Sequence, residues 1–294
     1  MLKQLLITLT AATVSSSLMA GGHGATAGFN STKINDSITL LQGKGGNIAV
    51  SHGSDGLLII DDDYADMSDS LKQQLAELGG GSELKYILNT HWHSDHTGSN
   101  DALGKGVAIV AHDNVRKRLS SPQEVPFFNM VTTAQAKHAL PSLTYPDAMN
   151  IHFNDESIRL EHYPNGHTDG DSVVFFESSN VVHMGDHMFY PMFPFVDISS
   201  DGNVVNFANN VGKVLAKVND ATVVIPGHGP LTDKKGLTTY HQMLMQTIAE
   251  VKAMKAEGLS VKQAQARGLS PKWQEWNGGF IKQENYIAFI YQSL

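Results

Sequence analysis

The chain has 294 residues, a formal net charge of −8 and no cysteine. The lack of cysteine excludes a disulfide framework, a thiolate metal site and a thiol nucleophile. The acidic balance disfavours a nucleic-acid partner, because phosphate contacts with Lys and Arg dominate that kind of affinity.

Residues 1–20 read as a secretory signal. Lys3 supplies a short positive region, residues 5–18 are apolar and hydroxyl-rich, and Met19-Ala20 before Gly21-Gly22 offers a small-residue cleavage site. Removing this segment leaves a net charge of −9, since it holds Lys3 and no acid. No later apolar run reaches the ~18–20 residues that span a bilayer. The expectation is a periplasmic protein with no membrane insertion after signal removal. Residues 21–294 are expected to form a single domain, with a core over about 37–257 and a helical tail over 258–294.

Residues 21–35 are rich in Gly, Ser and Thr and read as a loose lead-in. Residues 37–42, 47–51 and 56–60 read as strands separated by Gly and Asp turns. Leu71, Leu75 and Leu78 give residues 67–78 a helical spacing, and Gly79-Gly80-Gly81 ends it. A strand over 84–88, a strand over 107–111 and a helix over 114–119 follow. Residues 120–150 carry Pro122, Pro126, Pro141 and Pro146 without clean periodicity, which predicts an insertion or lid. Strands resume at 158–163, 172–176 and 181–184, then a helix at 204–218, a short strand at 222–225 and a long helix at 235–257. The aromatic stripe of the tail (Trp273, Trp276, Phe280, Tyr286, Phe289, Tyr291) reads as packing. Alternating strands and helices, with two strand-rich halves, predict a layered α/β fold.

Chemistry concentrates where the 84–88 strand ends. His91, His93, Asp95 and His96 place three imidazoles and one carboxylate within six residues. Imidazole nitrogen and carboxylate oxygen are ligands that Zn²⁺ accepts at roughly 2.0–2.2 Å. In extended backbone, alternate residues share a face, so His91, His93 and Asp95 can point one way, with His96 following as the chain turns. One ion cannot use all four from so short a loop without strain, which argues for two adjacent ions. His167, Asp186 and His228 follow later predicted strands, each beside a glycine. Phe127, Phe128, Phe189, Phe193 and Phe195 are candidates for an apolar entrance or for ordinary packing.

The blocks Ile59-Ile60-Asp61, His91-x-His93-x-Asp95-His96, Gly166-His167-Thr168, Gly185-Asp186 and Gly227-His228-Gly229 resemble, in order, those of the metallo-β-lactamase superfamily. The resemblance implies a four-layer αβ/βα sandwich and two Zn²⁺ per chain. It assigns His91, His93 and His167 to one ion, Asp95, His96 and His228 to the other, and Asp186 to a bridge between them. Asp61 becomes an outer acceptor that fixes a ligand imidazole, whereas His183 and His187 stay outside the ligand set. A hydroxide between the ions would attack an acyl carbon, with Asp95 orienting it or relaying its proton.

The substrate is then a small molecule. β-Lactam hydrolysis is the first expectation, favoured by export, and a lactonase or thioesterase is the alternative. Phosphodiester or phosphotriester hydrolysis and a non-catalytic zinc-binding module are further alternatives. The main lactamase subclasses lack a bridging Asp, so Asp186 makes the chain similar to glyoxalase II and the acyl-homoserine lactonases. The lactonases place a Tyr three residues after that Asp, where this chain has Phe189, with Tyr190 one position later.

Overall fold

A computed structural model of the protein describes residues 28–294. The expected signal segment therefore lies outside the described residues. Two large sheets stack face to face. The first runs, from edge to edge, through Asn30–Lys33, Ile38–Gln42, Ile48–Gly53, Gly56–Ile60, Leu84–Leu88, Ala108–His112 and Leu143–Tyr145. The second runs through Ala148–Phe153, Glu156–His162, Ser172–Phe176, Val181–His183, Val223–Ile225 and Thr232–Asp233.

The layering follows from the two-residue period of a strand, which sends successive side chains to opposite faces. Leu58 and Ile60 point between the sheets, where they meet Leu160, Val174, Phe176 and Ile225 of the second sheet. Their neighbours Leu57 and Ile59 point the other way, onto Leu71 and Leu75 of the helix Ser68–Gly79. In the second sheet Val173, Val182 and Val224 face outward, towards Val211 and Val214 of the helix Val204–Leu215 and Leu244 and Val251 of the helix Lys234–Ala256. Both faces of each central strand are thus buried, which is why these strands read as unbroken apolar runs. The result is the expected helix–sheet–sheet–helix order.

Several details depart from the sequence expectations. Asn30–Lys33, placed in the lead-in, is an exposed edge strand paired antiparallel with Ile38–Gln42. The 120–150 stretch is more structured than an insertion without periodicity. Gln123–Val125 and Met130–Thr132 form a separate two-stranded hairpin, and Leu143–Tyr145 joins the first sheet in parallel with Ala108–His112. The tail is helical at Val261–Arg267 and Gln283–Ser293, with a 3-10 segment at Pro271–Gly278 between them. Among the described residues no helix is long and apolar enough to cross a membrane.

Sheet topology decides where the chemistry falls. Gly56–Ile60 and Leu84–Leu88 are parallel neighbours, so Asp61 and the His91–His96 loop leave the first sheet at one edge. Val181–His183 and Val223–Ile225 are parallel in the second sheet and deliver Asp186 and His228 together. Two antiparallel steps relate Glu156–His162 to Val181–His183, so the loop bearing His167 emerges at that same edge.

Candidate metal centre

Seven side chains converge between the two sheet edges. His91, His93, His167 and Asp186 offer ligand atoms that all lie within 4.8 Å of one another, as do those of Asp95, His96 and His228. All seven were singled out in the sequence; Asp186 falls with His91, His93 and His167, and its carboxylate also reaches the second group. Its Oδ2 lies 3.3 Å from His167 Nε2 and 3.7 Å from His91 Nε2. Its Oδ1 lies 3.1 Å from His96 Nε2 and 3.3 Å from His228 Nε2. Asp95 Oδ2 closes the second group, 3.3 Å from His228 Nε2 and 3.5 Å from His96 Nε2.

Outer hydrogen bonds fix the tautomers. Asp61, at a left-handed φ of 63° that few non-glycine residues adopt, folds its carboxylate under the His loop. Its Oδ1 accepts from the Thr90 N–H at 2.7 Å, and its Oδ2 accepts from the Thr90 hydroxyl at 2.8 Å and from His96 Nδ1 at 2.7 Å. With its hydroxyl hydrogen committed to Asp61, Thr90 Oγ1 can only accept from His91 Nδ1, 3.1 Å away. His167 Nδ1 donates to the Phe195 carbonyl at 2.9 Å, and His93 Nε2 donates to Asp197 Oδ2 at 3.1 Å. Each of these four imidazoles therefore turns its other ring nitrogen inward.

Those inward nitrogens crowd one another. His93 Nδ1 lies 2.8 Å from His167 Nε2 and 3.1 Å from His91 Nε2. Burial, the largest influence, holds the His91 imidazole well below the usual histidine range and brings His167 down to about 4. The lone pairs of His91 and His167 then crowd the same His93 nitrogen, an arrangement that a shared cation relieves. Asp186 Oδ1 is buried without a hydrogen-bond partner, although two imidazoles stand within ion-pair distance. A donor set of imidazole and carboxylate around such an atom fits a divalent metal of the zinc type.

The second group is electrostatically different. Burial alone would depress His96, but the carboxylates of Asp186, Asp95 and Asp61 outweigh it and hold the ring well above its usual range. His228, under the same opposition of burial by Asp186 and Asp95, rises to about 9. Asp186 and Asp95 are both held well below the carboxylate range, because the surrounding imidazoles outweigh burial. A pocket that so strongly favours positive charge on His96 and His228 is one in which a cation is electrostatically welcome.

Glycines permit the close approach. Gly185 has φ 50°, and a Cβ there would meet Thr90 Cβ at 2.8 Å. A Cβ on Gly227 would meet Asp186 Oδ1 at 2.2 Å. A side chain at Gly185 pushes the Asp186 turn away from the His91–His96 loop, and one at Gly227 collides with the Asp186 carboxylate itself.

The histidines left outside the ligand set have other partners. His183 Nε2 donates to the Asn47 carbonyl at 2.9 Å, and its Nδ1 accepts from the Gly185 N–H. His187 is buried and stacked on Phe207, with its Nε2 3.4 Å from Asn210 Nδ2. Asp197 was not singled out. It sits in an Asp-Ile-Ser-Ser turn, accepting from Ser199 N–H and the Ser200 hydroxyl, and nothing in that sequence separates it from an ordinary turn residue. Thr90, adjoining the His block, could have been flagged by position alone.

A cavity of about 450 Å³ opens above the cluster, lined by His93, Asp95, Asp186 and His228 below and by Phe128, Phe189, Phe195 and Phe280 at the sides. Phe193, a candidate for the entrance, is instead fully buried and stacked on Tyr286. Phe189 lies flat on the His228 ring, with centroids 5.0 Å apart. Tyr190 packs against Trp276, 6.0 Å between centroids, and does not line the cavity.

Comparison with known proteins gives the family and the fold. Residues 67–228 match the metallo-beta-lactamase superfamily. A curated relative, "Beta-lactamase-like protein 2 homolog" from Caenorhabditis elegans, is 24% identical over 168 residues, which is 56% of this chain. The chain spans about half the length of that relative, 48% of it. Among solved structures, DIM-1 metallo-beta-lactamase superposes with a TM-score of 0.61 at 17% identity, covering 74% of this chain and 98% of that one. A metallo-beta-lactamase from Pontibacter korlensis gives 0.60 at 16% identity, covering 74% of this chain and 99% of its own. The sec-alkylsulfatase Pisa1 from Pseudomonas sp. gives 0.68 at 15% identity, covering 90% of this chain and 50% of that one. With its layered fold and its strand-end cluster of imidazoles and carboxylates, this chain belongs to the metallo-β-lactamase superfamily of metal-dependent hydrolases.

Proposed function

We propose that the protein is an exported dizinc hydrolase that opens an acyl bond in a small molecule, with β-lactam amides as the first substrate class. One observation supports the dinuclear reading above the others. The Asp186 carboxylate turns Oδ2 towards the His91/His167 side and Oδ1 towards His96 and His228. His91, His93 and His167 would hold one ion, Asp95, His96 and His228 the second, and Asp186 would bridge them. Zinc bound there supplies a water whose pKa is lowered to about 7 and draws electron density from the acyl oxygen.

The chain's own residues do the rest. Asp95, which lines the cavity with 18% of its side chain exposed, would keep Oδ2 for the second ion and use its other carboxylate oxygen to accept the proton of the attacking water and return it to the leaving nitrogen, oxygen or sulfur. Asp61 and Asp197 keep the His96 and His93 rings in the tautomers that present lone pairs inward. The apolar side walls limit the water that reaches the acyl carbon.

Lactone or thioester hydrolysis is the second reading. It is favoured by the position of Asp186 between the two groups, the feature that the chain shares with the lactonase-like branch. The deciding experiment loads the protein with zinc, counts the metal by mass spectrometry, and assays benzylpenicillin, an N-acyl-homoserine lactone and a thioester side by side. Two ions per chain with turnover that EDTA abolishes supports the hydrolase. Two ions without turnover of any of the three sinks the acyl-hydrolase reading, and no turnover of a phosphodiester or phosphotriester either favours a zinc-binding module. Mass analysis of the exported protein tests the periplasmic reading, which expects a chain starting near Gly21 and fails if residues 1–20 remain.

A further inference from the structure

The cavity above the cluster is one-sided. Lys44, Tyr64 and Ser94 line it on the side of the first sheet, and the remaining wall above the ligands is apolar. That wall is assembled from three distant parts of the chain. Phe128 comes from the 123–132 hairpin, Phe195 from the loop after the Asp186 turn, and Phe280 from the C-terminal segment. Phe128 and Phe195 are 4.8 Å apart between ring centroids, and Phe128 and Phe280 are 6.2 Å apart. Phe195 reaches down to His93 at 5.8 Å, and Phe280 to His228 at 6.1 Å. The aromatic wall therefore begins where the ligand imidazoles end.

Packing accounts for part of this cluster and not for the rest. Phe127 anchors the hairpin tip by lying on Phe289 and Phe195, with centroids 5.1 and 5.4 Å away. Phe127 is itself 39% exposed but does not line the cavity, whereas its neighbour Phe128 lines it and stays 46% exposed, as does Phe280 across from it at 50%. Two half-exposed rings facing each other beside a reactive centre keep apolar surface in water, which is unfavourable in proportion to area. A ligand with an apolar group of its own removes that surface from water.

We propose that Phe128 and Phe280 determine specificity by seating an aryl or alkyl group adjacent to the bond that is hydrolysed. The preferred substrates are then acyl compounds with a bulky apolar substituent. This inference rests on the hydrolase reading above and adds the substrate side chain to it.

The test uses the zinc-loaded protein, its F128A and F280A variants, and V131A as a control. Val131 is 70% exposed on the same hairpin and does not line the cavity. Calorimetry measures the Kd of 4-phenylbutyrate against butyrate, and kinetics compare kcat/KM for benzylpenicillin and 6-aminopenicillanic acid, which lacks the aryl group. The wild type is expected to prefer the aryl member of each pair by about tenfold, a difference of ~1.4 kcal/mol. F128A and F280A are each expected to lower that ratio about three- to tenfold, mainly through Kd and KM, while V131A keeps it. Equal affinity of the wild type for both carboxylates overturns the proposal. So does a fall in both members of a pair that leaves the ratio unchanged. A phenylalanine-dependent preference for phenylbutyrate without turnover of either β-lactam keeps this inference and defeats the β-lactam reading instead.

Discussion

The floor and the rim of the cavity are built on opposite principles. On the floor His91, His93, His96 and His167 are buried, and each has an outer acceptor that orients it. At the rim Phe128 and Phe280 are half exposed and in contact with neighbouring rings. The floor is over-determined because ligands must be fixed before a metal arrives, and misplacement of a donor by a fraction of an ångström costs affinity. The rim need only present apolar surface, so its residues are replaceable at the level of fold and decisive at the level of substrate. Changes to the floor should therefore act on metal and turnover together, and changes to the rim on substrate preference alone.

The largest effect that would break this contrast is at Asp186. D186A should lower occupancy of both metal positions and abolish turnover; unchanged stoichiometry, measured by mass spectrometry, would remove the bridge. Next comes Asp61, which holds Thr90 and His96 at once. D61A should weaken zinc binding about 10–100-fold in a chelator competition, and an unaltered affinity would mean that the acceptor is dispensable. D197A, which releases one ligand imidazole, His93, along with the Ser199 and Ser200 turn, should weaken binding by about 10-fold, the lower end of that range. A larger loss than for D61A would invert the ranking of the two acceptors.

The smallest effect concerns stability away from the floor. His162 lies stacked on His112, 3.6 Å between centroids. Burial, reinforced by the charge of His112, lowers its pKa to about 4. An unfolded histidine titrates near 6.5, so between about pH 6.5 and 4 the unfolded chain binds more protons than the native one. His162 thus contributes stability fully above pH 6.5 and loses that contribution as the pH falls towards 4. H162N should flatten the decline of Tm over that window; a decline identical to that of the wild type would show that His162 is not its source.

Much of the floor was legible in the sequence, because apolar runs mark strands and ligand residues stand at their ends. Parallel pairing then carries those ends to one edge, as with Asp61 beside the His91–His96 loop. What was hidden depends on partners distant in sequence. Asp197 is an ordinary turn acid until His93, 104 positions earlier, reaches it. Leu143–Tyr145 is three residues in a proline-rich stretch, a strand only because Ala108–His112 offers an edge. Asn30–Lys33 is exposed throughout and shows no alternation to read. Phe280 carried the same signal as the packed aromatics of the tail, and only the fold separates it from Trp273 and Tyr286, which are buried.

The most direct test of the account is a crystal structure of the zinc-loaded protein with anomalous data at the zinc edge. Two peaks roughly 3.5–4 Å apart are expected, one on each side of the Asp186 carboxylate. A single peak, or a second one away from His96 and His228, would contradict it.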